Sequence, residues 1–148
     1  MKAIWIFLAL LFLSTTACKD DVITGCTDER ASNYDPLATE ENRTCSYYGA
    51  AVFYNNQSTS QNLLNDGISS LKYYVSGSIQ GSYIANLYWD PVPDCDSDSA
   101  VTIPMRGLGL NPTQNFGYQV RDQDDNILET GSFLMTGNEC TKIEFVYN

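Results

Sequence analysis

What most limits the fold of this chain is the texture of residues 48–148, where short runs of alternating apolar and polar side chains end at Gly, Asn or Asp. Leu71-Lys72-Tyr73-Tyr74-Val75 puts Leu71, Tyr73 and Val75 on one face, and Val101 to Met105 does the same with Val101, Ile103 and Met105. Phe116 to Arg121 alternates likewise. A period of two is that of a half-buried strand. Ala50 to Tyr54, Ser82 to Leu87, Ile127 to Met135 and Thr141 to Tyr147 extend the series to seven or eight strands. Asn65-Asp66-Gly67 and Asp124-Asp125-Asn126 are turn sequences that tolerate positive φ. The one helical candidate, Thr59 to Leu64, lacks a sustained apolar stripe, so no helix is expected. Many short strands joined by hairpin turns predict a mainly β fold, a single antiparallel β-sandwich. Pro104 cannot donate to a sheet ladder and belongs at an edge or a bulge.

Five cysteines set the next constraint. Cys26 and Cys45 bracket a polar segment with almost no large apolar side chains, which cannot bury enough surface to offset the entropy of ordering it. A disulfide closing that loop contributes roughly 3 kcal/mol in the chain-entropy account. Cys95 and Cys140 are the favoured second pair, at roughly 4 kcal/mol, although four cysteines allow three connectivities. Cys18 is left over, and an odd thiol in an exported chain needs a chemical role.

The leader supplies one. Met1-Lys2, an unbroken apolar run from Ala3 to Leu13, and small residues up to Ala17 form the three-part pattern of a secretory signal, too short to span a membrane. Thr15-Thr16-Ala17-Cys18 resembles the lipobox of bacterial lipoproteins, with Thr15 where Leu is usual. The resemblance implies a signal peptide at 1–17, cleavage before Cys18, a diacylglyceryl group on its thiol, an acyl chain such as palmitate on the new amine, and a lipidated tether at 18–24. One acyl chain holds a protein only marginally, at ~0.8 kcal/mol per buried CH₂, whereas two or more hold it stably. Lys19-Asp20-Asp21 resembles the surface-export signal of Bacteroidota lipoproteins, which implies an outer-membrane protein facing the cell exterior.

Gly25-Cys26-Thr27-Asp28, Ala31, Asn33-Tyr34-Asp35-Pro36, Ala38-Thr39, Glu40-Glu41 and Cys45-Ser46-Tyr47 resemble a small repeat of secreted and surface proteins of the same bacteria. Asn42-Arg43-Thr44 departs from its usual Asp-Gly-Ser. The resemblance implies a disulfide-looped spacer at 25–47. Asp28, Asn33, Asp35, Glu40 and Glu41 offer oxygen ligands suited to a hard cation, with calcium the only candidate cofactor. Against it stand the missing EF-hand pattern and the tendency of such residues to bond local backbone in turns. Beyond the spacer, Asp94-Cys95, Tyr118-Gln119-Val120-Arg121-Asp122 and Asn138-Glu139-Cys140-Thr141-Lys142-Ile143 resemble the small prealbumin-like or immunoglobulin-like sandwich modules of Bacteroidota surface proteins. That likeness implies architecture more than activity.

The sequence has no histidine, which removes the commonest general base and zinc ligand. Neither a phosphate-cradling glycine loop nor a dinucleotide fingerprint occurs. Carboxylate pairs such as those of glycosidases remain available among Asp94, Asp96, Asp98, Asp122, Asp124, Asp125 and Glu129, all in apparent loops or near them. Loss of residues 1–17 removes Lys2 and leaves 7 basic against 18 acidic side chains, a surface that repels nucleic acid. Ten tyrosines include candidates for an exposed ring platform, with Tyr88 and Trp89 the best placed. Asp98-Ser99-Ala100 resembles the short O-glycosylation signal of these bacteria, marking Ser99. The expectation is a non-catalytic cell-surface lipoprotein, not an enzyme, that binds or supports an extracellular glycan or protein. The rivals are a carboxylate-based enzyme acting on glycans and a periplasm-facing envelope scaffold.

Overall fold

The structure, a computed structural model, describes residues 21–148. Cys18, Lys19 and Asp20 lie outside the described residues, as does the leader. Asp21 is exposed and in no regular element.

Two short strands, β1 (Thr24–Gly25) and β2 (Glu40–Glu41), pair in parallel at the base of the cysteine loop. The sandwich follows: β3 (Tyr47–Tyr54), helix α1 (Gln57–Asn65), β4 (Ser70–Val75), β5 (Ser78–Ile84), β6 (Val101–Gly109), β7 (Thr113–Arg121), β8 (Ile127–Thr136) and β9 (Cys140–Glu144). One sheet has the order β6-β3-β9 and the other β5-β4-β7-β8. The fold is thus mainly β, with two sheets packed face to face. The first, fourth and seventh strands of the sandwich share a sheet, unlike the immunoglobulin grouping of strands A, B, E and D against C, F and G. Four of the five strand pairings within the sandwich run antiparallel; β3 and β9 run parallel, with Ala50 opposite Cys140 and Val52 opposite Lys142.

Phe53 fills the centre. Its ring lies 5.0 Å from Tyr73, 5.3 Å from Tyr118 and 5.8 Å from Phe133, so one side chain of the first sheet meets three strands of the second. Leu71, Tyr73 and Val75 are buried together, as their alternation requires. The Val101 and Ile103 face is buried too, but Met105 is 71% exposed. The reason is a bulge: Ala51 pairs with Ile103 and Gly49 with Arg106, so β6 carries one extra residue around Pro104 and Met105. β6 is also an edge strand, the position that Pro104 demands.

Two local expectations are corrected. The strand read at Ser82 to Leu87 lies earlier, at Ser78–Ile84, because Ser76 and Gly77, with φ of 50° and 80°, make a tight two-residue hairpin turn after Val75. A helix also exists where none is expected. Asn56 caps α1 by accepting from the Thr59 amide at 2.9 Å. Its inner face is held by hydrogen bonds as much as by apolar contact: Ser60 Oγ donates to the Ala85 carbonyl at 2.7 Å, Thr59 Oγ1 accepts from the Tyr147 amide, and Asn62 Nδ2 donates to the Tyr147 carbonyl. Only Leu63 is a buried large apolar side chain there, so no apolar stripe announces the helix. Asn65-Asp66-Gly67, the turn sequence that tolerates positive φ, forms its C-terminus. Gly67 has a φ of 77°, its amide bonds the Leu64 carbonyl, and the Ile68 amide bonds the Leu63 carbonyl, closing the last turn.

The cysteine loop is built into this body. Cys26, Ala31 and Cys45 belong to the same buried cluster as Tyr47, Phe53 and Leu108. Tyr47 lies within β3 and donates its hydroxyl to Asp28 Oδ2 at 2.9 Å. A boundary between 47 and 48 therefore cuts through a strand. Both favoured disulfides form, Cys26–Cys45 and Cys95–Cys140.

Candidate functional site: a strapped, acidic face

The segment between β5 and β6, residues 85–100, is too long to be a simple turn. It runs across the outer side of the β6-β3-β9 sheet, held at its start and in its middle. At its start the Trp89 amide donates to the Asn55 carbonyl at 3.1 Å and Asn55 Nδ2 donates to the Leu87 carbonyl at 3.0 Å. Asn55 is fully buried, and its Oδ1 accepts from the Tyr83 hydroxyl at 2.7 Å. Tyr83's proton is thereby committed, so the hydroxyl of Tyr73 donates to that of Tyr83. Burial pushes the pKa values of Tyr73 and Tyr83 well up, keeping the chain of donors neutral. Further along, Cys95 is bonded to Cys140 and Asp94 pairs with Lys142 at 2.7 Å. Val52, opposite Lys142 and pointing away from the Phe53 core, is nevertheless fully buried beneath this strap.

Two clefts flank the strap. One, of about 340 Å³, is bordered by Tyr54, Asn56, Tyr88, Trp89, Asp90 and Glu144. Tyr88 is 45% exposed. Asn56 Nδ2 donates to Glu144 Oε1 at 2.8 Å, and burial, with Glu144 nearby, pushes the Tyr54 phenol up. The other, also about 340 Å³, is bordered by Tyr48, Asp94, Asp96, Met105, Glu139 and the Cys95–Cys140 disulfide. Tyr48 is 43% exposed. Neither cleft is lined by a basic side chain. Both can offer ring faces and carboxylate or amide acceptors to a ligand.

Of the sequence-marked pair, Tyr88 is open to a partner, but Trp89 packs inward. Its ring stands edge-on to Tyr83 at 4.9 Å, and its Nε1 donates to Ser99 Oγ at 3.3 Å. Trp89 thus forms the floor of the first cleft while anchoring the strap. Ser99 is exposed on the same segment. Glu144 joins Tyr54 only through the pairing of β9 with β3, a proximity that no local sequence pattern signals.

The five oxygen donors of the cysteine loop are not brought into one shell. Asp28 grips Arg30 through both oxygens and also takes the Tyr47 hydroxyl; the Arg30 guanidinium holds its carboxyl well below the usual range. Asn33 bridges the Thr44 carbonyl and the Ser46 amide. Asp35 accepts from the Leu37 amide. Glu41 accepts from the Thr27 and Arg43 amides, which lower its pKa. Glu40 is exposed on β2. Among the described residues the one group with ligand atoms close together is Cys26, Glu41 and Cys45, whose two sulfurs are spent on each other. These donors do not fit a calcium ion, which needs six to eight converging oxygens.

Besides Asp94, three of the seven carboxylates marked in the sequence are engaged by neighbours, whereas Asp96 and Asp98 are exposed. Asp122 is buried and accepts from the Asp124 amide and from the Asn126 amide and side chain, which lower its pKa. Asp125 pairs with Lys72 at 2.8 Å. Glu129 accepts from the Tyr118 hydroxyl.

No protein-family model matches the chain, and comparison with curated proteins and with solved structures finds no significant match. Fold and site together define a disulfide-strapped β-sandwich with one acidic, aromatic-bearing face.

Proposed function

We propose that the protein is a non-catalytic lipoprotein of the outer membrane that faces the cell exterior and presents the strapped face to a partner. The observation that carries the binding half is the pairing of exposed rings with carboxylates in two clefts on one side of the sandwich. Of the seven carboxylates that a carboxylate enzyme could draw on, Asp122, Asp125 and Glu129 are held by a turn, a lysine and a tyrosine, and Asp94 by Lys142. The anchor half rests on Cys18 and on Lys19-Asp20-Asp21, whose pattern resembles that of surface lipoproteins.

The test is protease shaving of intact cells that make the wild type, a Cys18→Ser variant, and a Lys19/Asp20/Asp21→Ala variant. The expected result is digestion of the wild type, protection of the triple variant, and release of the Cys18→Ser protein from the membrane fraction. Protection of the wild type would place it in the periplasm and overturn the surface reading.

A further inference from the structure

Resting on that reading, we infer that the strapped face binds an extended, positively charged polypeptide segment, seating one cationic side chain in each cleft. The argument begins with sign. The two clefts gather Asp90 and Glu144 on one side of the strap and Asp94, Asp96 and Glu139 on the other. The nearby cation, Lys142, is already paired with Asp94. An anionic ligand would meet uncompensated repulsion here, and a cationic one would be drawn in.

The second step is chemistry. A cation over the face of a tyrosine or tryptophan ring is held by the ring's quadrupole, and a carboxylate beside that ring adds a charged acceptor. Tyr88 with Glu144 and Asp90 supplies this combination in one cleft, and Tyr48 with Asp96 and Glu139 supplies it in the other. The exposed Met105 lines the second cleft and offers an apolar, adaptable wall for the methylene stem of a lysine or arginine.

The third step is spacing. Tyr48 and Tyr54 mark the two clefts along the same strand. Six residues of strand span about 20 Å. The strap covers Val52 between them, so an extended segment that reaches both clefts passes over it and needs cationic side chains more than six positions apart. On the opposite sheet Lys72 is already held by Asp125, and the Arg121 guanidinium lies over the Tyr74 ring at 4.6 Å.

The test uses the mature, lipidated protein in detergent, in which loss of residues 1–17 removes Trp5 and leaves Trp89, beside one cleft, as the single tryptophan. The probes are a Gly/Ser peptide with two lysines ten positions apart, the same peptide with one lysine, and cellohexaose as a neutral sugar. The two-lysine peptide should shift Trp89 emission saturably and bind about tenfold more tightly than the one-lysine peptide, through paired engagement. Tyr88→Ala and Tyr48→Ala should each bring it down to one-lysine affinity, and added salt should weaken it. Equal affinity for the two peptides, or binding unaffected by both tyrosine changes, would overturn the inference. Saturable binding of cellohexaose alone, lost in Tyr88→Ala, would also overturn it while leaving the binding role of the face standing. Near-ultraviolet circular dichroism of each variant, matching that of the parent, shows that the fold is retained.

Discussion

Tyr118 shows how single residues set the limits of this fold. Its hydroxyl donates to Glu129 from within the sandwich, and burial, reinforced by that carboxylate, raises its pKa to about 12. Tyr73 is raised as well, chiefly by burial. The folded state favours the neutral phenol, so the contribution is complete below the unfolded pKa of about 10 and is lost as pH climbs through the folded value. Urea midpoints should hold steady from pH 7 to about 9 and fall steeply between about pH 10 and 12. Tyr118→Phe should flatten part of that fall. An unchanged alkaline profile in Tyr118→Phe would show that the phenol is not linked to stability. Asp122 makes a complementary point, because its oxygens hold the β7–β8 turn through three donors. Asp122→Ala should lower the melting temperature, so any activity lost in that variant reports the turn before it reports chemistry.

Elements were legible in the sequence to the extent that their periodicity is local. The strands around Leu71, Ile103, Val120 and Phe133 follow from alternation, and the bulge at Pro104 follows from its missing amide hydrogen. Helix α1 did not, since serine, threonine and asparagine do much of the docking that leucine does elsewhere. Its end is nonetheless exacting: Gly67→Ala forces a side chain into the left-handed region and should cost about 1 kcal/mol, measurable as a shift in the denaturant midpoint. The strap gives the second prediction at this scale. Removing Cys95–Cys140 by paired serine substitution should destabilise the protein by roughly 4 kcal/mol at most. Hydrogen exchange should rise first over residues 86–100 and at the Val52 amide, with the β5-β4-β7-β8 sheet changing less. Uniform exchange across both sheets would mean that the strap is not a separate layer. In the candidate site, the sequence exposed Tyr88 but hid its companions, because Glu144 meets Tyr54 only through the parallel pairing of β9 with β3.

At the scale of the whole molecule, the cysteine loop and the sandwich share one core, through Ala31, Tyr47 and the Cys26–Cys45 bridge. Gly137 marks how closely they fit, since a Cβ there would lie 2.6 Å from the Arg30 carbonyl oxygen. The sequence did not disclose this, because one alanine and one tyrosine in a polar segment carry no period. Calorimetry should therefore give a single transition, and Cys26→Ser/Cys45→Ser should lower it by roughly 3 kcal/mol without splitting it. Two separated transitions would restore the loop to an independent spacer. The parallel pairing of the first and last sandwich strands bears, finally, on how the protein comes into being. Ala50 waits for Cys140, a partner 90 positions later in the chain, and contacts so far apart in sequence form slowly. The central strand of one sheet stays without its neighbour until nearly all of the polypeptide has emerged. Under the export proposed above, a chain that closes so late would remain threadable during transport and lock into shape only afterwards.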